Sequence, residues 1–77
     1  MTILKVVTRN AVYRVDRDNN RWKRTASTHP RHDDYQWVYG GFTLGEIGER
    51  CFAHFDNHPD QATGRWTSSV VSIEELP

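Results

Sequence analysis

Alternation of apolar and polar positions dominates the start of the chain. Segment 2–8 is rich in β-branched residues, and the Arg9-Asn10 pair after it suits a tight reversal because Asn tolerates positive φ. The next segment, Ala11–Asp16, alternates with the apolar face that carries Tyr13. Because a period of two is typical of a half-buried strand, the pattern predicts a hairpin with the Tyr13 face inward.

A second reversal is predicted at 16–20, which reads Asp-Arg-Asp-Asn-Asn. Asp and Asn side chains bond nearby backbone amides and so favour turns. The return strand, 21–26, places Trp22 on one face and Arg21 and Lys23 on the other. We therefore expect a three-stranded meander with basic outer positions.

The middle of the chain combines a loop with an aromatic strand. Segment 27–34 has no periodic apolar residue and contains Pro30, which predicts an exposed loop. Tyr35, Trp37 and Tyr39 then alternate along 35–39, and two glycines end that predicted strand.

Segment 43–55 fits two structures. Thr43 and Glu46 match a capping box, and apolar residues recur at helical spacing. Gly45 and Gly48, however, each cost about 1 kcal/mol inside a helix. We therefore expect a glycine-rich turn and then a strand over 49–55, and a helix over 43–55 is the alternative.

Short strands separated by turns predict the fold class. A turn-rich loop over 56–64 and a last strand over 65–73 complete a set that fits a mainly β fold, a small antiparallel barrel or sandwich of about five to six strands and SH3-like size. A helix at 43–55 would make the fold α+β. We expect a single domain, 1–77, with this core: Ile3, Val6 or Val7, Tyr13, Val15, Trp22, Trp37, Phe52 or Phe55, Trp66, and Val70 or Val71.

Length and composition narrow the class of protein. A chain of 77 residues, 36% apolar, is too short for two separate cores. No apolar run approaches the ~20 residues that cross a bilayer, and no apolar stretch of a signal peptide follows Met1. Cys51 is the one cysteine, so no intramolecular disulfide is available. These features predict a cytoplasmic protein without membrane contact.

The charges are divided between the two halves of the chain, although the net charge is zero. Residues 1–36 hold eight Lys and Arg against four Asp, which gives +4, and residues 37–77 hold two Arg against six acidic residues, which gives −4. These charges either neutralise each other in pairs or form two opposed patches.

One set of histidines and a cysteine has the spacing of a tetrahedral zinc site. Against zinc, structural sites usually contain at least two cysteines, and residues three apart on a strand point to opposite faces. Solvated loops around a buried thiol are the simpler interpretation. The candidate ligands are His29, His32, Cys51, His54 and His58.

The basic hairpin over 14–24 is a candidate nucleic-acid interface, in which cations contact phosphates and a ring stacks on a base. The isoelectric point of about 6.9 argues against this, because dedicated nucleic-acid-binding domains exceed about 9. A solvated hairpin whose arginines pair with nearby carboxylates is the simpler interpretation. The candidate residues are Arg14, Arg17, Arg21, Trp22, Lys23 and Arg24.

Aromatic residues are the stronger functional candidates. The sequence carries no nucleophile elbow, phosphate loop or paired-carboxylate motif, so we expect neither enzymatic activity nor a cofactor. Trp and Tyr dominate the energetics of protein interfaces, and strict alternation keeps some of these rings out of the core. The candidate partner-binding residues are Tyr35, Trp37, Tyr39 and Phe42.

The segment 65–74 reads Arg-Trp-Thr-Ser-Ser-Val-Val-Ser-Ile-Glu. It resembles the ending of many small, mostly uncharacterised proteins from tailed-phage genomes, in which an aromatic residue, Thr-Ser and Val-Val close the chain. A looser similarity covers the turn at Gly48-Glu49-Arg50 and the strand after it. The resemblance implies a small phage accessory protein that works in the host cytoplasm by binding and modulating a host factor, and it implies no catalytic residues.

We therefore predict a non-enzymatic accessory protein that binds and modulates a host protein. The aromatic residues would form the contact with the partner. The basic hairpin would orient the partner and raise the rate of association. Nucleic-acid binding through the 14–24 hairpin and a zinc-stabilised interaction module are the alternatives. The partner's identity and the choice between monomer and homodimer stay open.

Overall fold

Antiparallel strands form one curled sheet. The computed structural model describes residues 3–30, 34–56 and 64–77. The order across the sheet is β4-β3-β2-β1-β7-β6-β5, so the predicted mainly β, barrel-like architecture is confirmed. In these described ranges no helix is long and apolar enough to span a membrane. The seven strands in the described ranges are β1 (Ile3–Thr8), β2 (Ala11–Asp16), β3 (Arg21–Ser27), β4 (Val38–Tyr39), β5 (Phe42–Thr43), β6 (Arg50–His54) and β7 (Gly64–Leu76).

The predicted meander of β1, β2 and β3 is confirmed. Leu4 lies opposite Val15, and Val15 lies opposite Trp22, so one row of apolar side chains crosses all three strands. Because cross-strand neighbours share a face, this row defines the inner surface. Tyr13 also lies on it and is 4% exposed, as the alternation predicted.

Backbone hydrogen bonds tie the two ends of the sheet to each other. The end strands β4 and β5 are linked by Gly40 and Gly41, and the Asp56 N–H donates to the Tyr39 carbonyl at 2.9 Å. Nearby, the His54 N–H donates to the Gly41 carbonyl at 2.9 Å. Gly40 has a φ of +152°, and a Cβ there would overlap the carbonyl of His54. The sheet curls shut here because the linking residue has no side chain.

Residues 43–55 contain no helix, so the α+β alternative is wrong. After β5 the chain makes a loop that folds back on β7, where the Gly48 N–H donates to the Val70 carbonyl at 2.9 Å. Gly48 has a φ of +91°, and a Cβ on Gly45 would overlap the Arg50 carbonyl. Both glycines therefore serve the turn, and the predicted strand that follows is β6.

The aromatic strand is shorter than predicted. Only Val38 and Tyr39 pair with β3, whereas the sequence pattern indicated a strand over 35–39. Tyr35 has a φ of +67° and donates its N–H to the Arg24 carbonyl, which places it in a turn. Alternating rings indicated an extended strand, but the backbone at Tyr35 is left-handed.

The core lies between the inner surfaces of the curled sheet. It contains Leu4, Val6, Ala11, Tyr13, Val15, Trp22, Cys51, Ala53 and Val70. Trp66, expected in the core, is 60% exposed, and that expectation is wrong. On β7 the neighbouring Thr67 is the buried residue, so alternation turns Trp66 outward. Ile3 and Trp37 are half-buried, and Val71 is exposed.

Four aromatic rings pack together in the interior. Trp22, 1% exposed, packs against Tyr13, Phe42 and Phe55 with ring centroids 6.1, 6.0 and 5.6 Å away. Its Nε1–H donates to the His54 carbonyl at 3.0 Å, so the polar edge of the indole is satisfied inside. Tilted ring pairs at such distances contribute about 0.5–1.5 kcal/mol each beyond their burial.

Replacing Gly40 with Ala is expected to lower the free energy of unfolding by at least about 2 kcal/mol, because the new methyl group displaces the His54 carbonyl. Urea unfolding measures this loss. Gly41→Ala is the matched control, since a Cβ there meets its nearest atoms at 3.7 Å, and its cost should stay below about 1 kcal/mol. Equal losses in the two variants would contradict the closure described here.

Candidate functional site

Cations and rings gather on the outer face of β3. Arg21 and Lys23 project outward from β3, and the Trp37 ring lies against both, with its centroid 4.2 Å from Arg21 Cζ and 4.7 Å from Lys23 Nζ. Tyr39 lies opposite Arg21, and Arg14 lies opposite Lys23, so both share this face. We call the surface formed by Arg14, Arg21, Lys23, Trp37 and Tyr39 the Trp37 face.

Arg21 is held in place from below by Asp16. The Asp16 carboxylate is 0% exposed and accepts from Arg21 Nε at 2.9 Å and from Asn19 Nδ2 at 2.9 Å. The hydrogen bonds with Asn19 and Arg21 lower the pKa of Asp16, and the bond with Asp16 raises the pKa of Arg21. A charged, oriented guanidinium therefore supports one side of the Trp37 ring.

The predicted partner-binding residues separate into surface and core. Tyr35 and Tyr39 are 70% and 57% exposed, and Trp37 is half-buried over its two cations. Phe42 packs on the rings of Tyr13 and Trp22, with centroids 5.3 and 6.0 Å away. Phe42 therefore contributes to the interior, and the exposed contact candidates are the other three.

The predicted nucleic-acid residues are also separated. Trp22 is 1% exposed, so no base can stack on it. Arg24 points inward, is 8% exposed and lies 2.7 Å from the Asp34 carboxylate. Burial raises the pKa of Tyr13, and the nearby Arg24 guanidinium opposes that shift. Of the six predicted residues, Arg14, Arg17, Arg21 and Lys23 reach the outside.

Three of these outer cations have no ionic partner among the described residues. Asp16 neutralises Arg21 at 2.9 Å, whereas no described carboxylate forms a salt bridge with Arg14, Arg17 or Lys23. On β1, Lys5 pairs with Glu74 at 3.8 Å, which is a contact between the basic and acidic halves of the chain. The Trp37 face is therefore locally positive although the net charge is zero.

A polar cleft borders this face. It has a volume of about 300 Å³ and lies between the β2–β3 turn and the glycine link, with Arg17, Asn20, Arg21, Gly41 and His54 among its lining residues. The Asn20 Nδ2–H₂ donates to Asp56 at 3.3 Å. Arg17 therefore lies in the cleft at the edge of the positive Trp37 face.

A second group of exposed rings lies on β6 and β7, where the sequence predicted core. Phe52 lies opposite Trp66 with ring centroids 4.9 Å apart, and His54 packs on Phe52 at 4.8 Å. The small residues Cys51 and Ala53 are the buried ones on β6. Their alternation with Phe52 and His54 was the sequence signal for this outward face.

The predicted zinc ligands do not converge within the described residues. Cys51 is buried and its Sγ accepts the Gly45 N–H at 3.3 Å, while His54 points to the opposite face with Nε2 2.9 Å from Thr43 Oγ1. His29 is exposed after β3. His32 and His58 lie outside the described residues, and no group of three potential ligands occurs in the described ranges.

No family model, no curated protein and no solved structure matches this chain.

The stability contributed by Asp16 is expected to vanish in acid. Because its pKa in the folded protein lies below the ordinary value of 3.8, its contribution is present above that pH and is lost as the pH falls through the folded-state pKa. Urea unfolding at a series of pH values tests this. The gap in free energy between wild type and Asp16→Asn should be largest at neutral pH and shrink in acid, and a gap independent of pH would contradict the assignment.

Proposed function

We propose that this chain is a small, non-enzymatic accessory protein that binds another protein through the Trp37 face. The observation that carries the proposal is that the half-buried Trp37 ring and the exposed Tyr39 lie on one face with Lys23 and Arg14, cations that no described carboxylate neutralises. Trp, Tyr and Arg are the residue types that contribute most to protein interfaces.

The charge of the face defines the chemistry of the partner. Lys23 contacts the Trp37 ring, Arg14 lies opposite Lys23 and Arg17 lines the adjoining cleft, so we expect the matching surface to carry Asp and Glu. An acidic partner approaches faster because of long-range attraction and is aligned by it. The rings then supply the apolar contact.

The C-terminal resemblance to tailed-phage accessory proteins suggests where such a partner occurs. On that basis we propose that the chain is a phage protein, that the partner is a host protein, and that binding in the host cytoplasm modulates it. No catalytic step belongs to this proposal, in agreement with the motifs of the sequence.

Single-stranded nucleic acid is the competing ligand, because phosphates are also anions and Trp37 is also a stacking surface. The buried positions of Trp22 and Arg24 remove a ring and a cation from the interface that the sequence predicted. A gel-shift experiment at low ionic strength decides between the two ligands. Binding of a single-stranded oligonucleotide that weakens on Trp37→Ala would replace the protein partner with nucleic acid.

Truncating the rings is expected to weaken partner binding. The protein is used to capture its partner from a host lysate, the partner is identified by mass spectrometry, and its affinity is measured by calorimetry. Trp37→Ala should weaken binding at least about thirtyfold, which is the scale of an interface hot spot. Alanine at Tyr35 and Tyr39 together should also weaken it.

Trp66→Ala is the matched control, because it removes an equally large ring that is 60% exposed on a different part of the sheet. Its affinity should equal that of the wild type. Circular dichroism confirms that each variant is folded. A folded triple variant at Tyr35, Trp37 and Tyr39 that binds with unchanged affinity would contradict the proposed surface.

Charge reversal is expected to act on the association rate. Arg14→Glu combined with Lys23→Glu should lower the association rate constant, and added salt should reduce the difference from wild type because salt screens the attraction. Stopped-flow measurements at several ionic strengths provide both values. An association rate that is independent of salt and of these two charges would contradict an acidic partner.

A further inference from the structure

The second half of β7 has an open edge. Residues 64–69 of this strand pair with β6 on one side, and residues 72–76 pair with β1 on the other side. Among the described residues, no strand pairs with 71–76 on the side away from β1. The loop after β5 ends the ladder at Val70, which bonds to Gly48 and Glu49. Backbone groups along this edge are therefore available to another strand.

Apolar side chains accompany the open edge. Val71 is 53% exposed and Ile47, beside Gly48 at the start of the edge, is 70% exposed. The charges on this edge, Glu74 and Glu75, are acidic, and Lys5 pairs with Glu74 at 3.8 Å. An occupant of this edge must therefore place no carboxylate directly opposite Glu74 or Glu75.

We propose that the edge at 71–76 binds the same edge of a second copy of the chain, as an antiparallel strand pair around a two-fold axis. Such an axis stands perpendicular to the joined sheet, so each residue must lie opposite one that shares its face. Side chains alternate between faces, and this requirement restricts the pairing to every second register.

Charge and backbone pairing select one of these registers. Centring the pair on Glu74 would place two like charges directly opposite each other, which is unfavourable. Centring it on Ser72 would draw in Val70, whose N–H and carbonyl already bond to the loop. Centring it on Ile73 places Ile73 opposite the Ile73 of the second copy, Ser72 opposite its Glu74, and Val71 opposite its Glu75. No two carboxylates then face each other.

Two substitutions at Ser72 test this register. Ser72 is exposed, and in the dimer it faces a glutamate twice because of the symmetry. Ser72→Glu creates two like-charge pairs and should weaken dimerisation about tenfold, while Ser72→Lys creates two ion pairs and should strengthen it about tenfold. Sedimentation equilibrium from micromolar to millimolar concentration gives the dissociation constants.

The two variants are each other's control. A role of Ser72 in folding would shift both in the same direction, whereas the proposed contact shifts them in opposite directions. Hydrogen exchange provides a second readout, since amides within 71–76 should exchange more slowly as the concentration rises. A wild type that is monomeric at millimolar concentration, or protection that appears elsewhere in the chain, would overturn the proposal.

Partner binding and self-pairing are separable. Trp37→Ala should leave the dimer dissociation constant unchanged, because the Trp37 face lies on β3 and β4 and the open edge lies on β7. A dimer that is lost in Trp37→Ala would assign self-association to the Trp37 face and would overturn the edge contact.

Discussion

The rest of the structure depends on the hydrogen bond and the ring contacts that the Trp22 indole makes in the interior. Trp22 lies on β3, beside one end strand of the sheet, and its Nε1–H donates to the carbonyl of His54 on β6, beside the other end strand. Its ring also packs against Phe42 and Phe55, so one side chain fills the interior and joins both ends. Losing it would leave both a void and a part-buried carbonyl without its hydrogen-bond donor, and each of these is destabilising.

Curling the sheet around this ring sorts the charges of the chain. Arg24 points inward beside Trp22 and is buried with Asp34, where the pair satisfies both charges in a low-dielectric interior. Arg21 and Lys23, one position to either side of Trp22, point outward because strand side chains alternate. The Trp37 face therefore carries cations although the net charge of the protein is zero. A count of charges along the sequence does not show that the cations lie on different faces of the sheet.

The chain has more aromatic rings than its interior holds, and the remaining rings form the two exposed aromatic surfaces. The interior accepts Tyr13, Trp22, Phe42 and Phe55, and the small residues Cys51 and Ala53 complete the wall that faces them. Rings on the other faces of the strands have no interior to enter, which leaves Trp37 against cations and Trp66 against Phe52. The positive charge around Trp37 sets that surface apart from the second group. It also distinguishes this face, the proposed partner-binding surface, from the acidic open edge of β7.

Local sequence patterns determined the antiparallel strands, the first two hairpins and the inward face of Tyr13, because alternation and turn chemistry act over a few residues. They also indicated the turn at Gly45 and Gly48. The tertiary structure decided which side of β7 faces the core, and so sent Trp66 outward. It likewise placed Phe42 inside and Trp37 on its cations. These outcomes depend on how distant strands pair and how far the sheet curls. On a strand with apolar residues on both faces, such as β7, a period of two does not say which face is inward until that pairing exists.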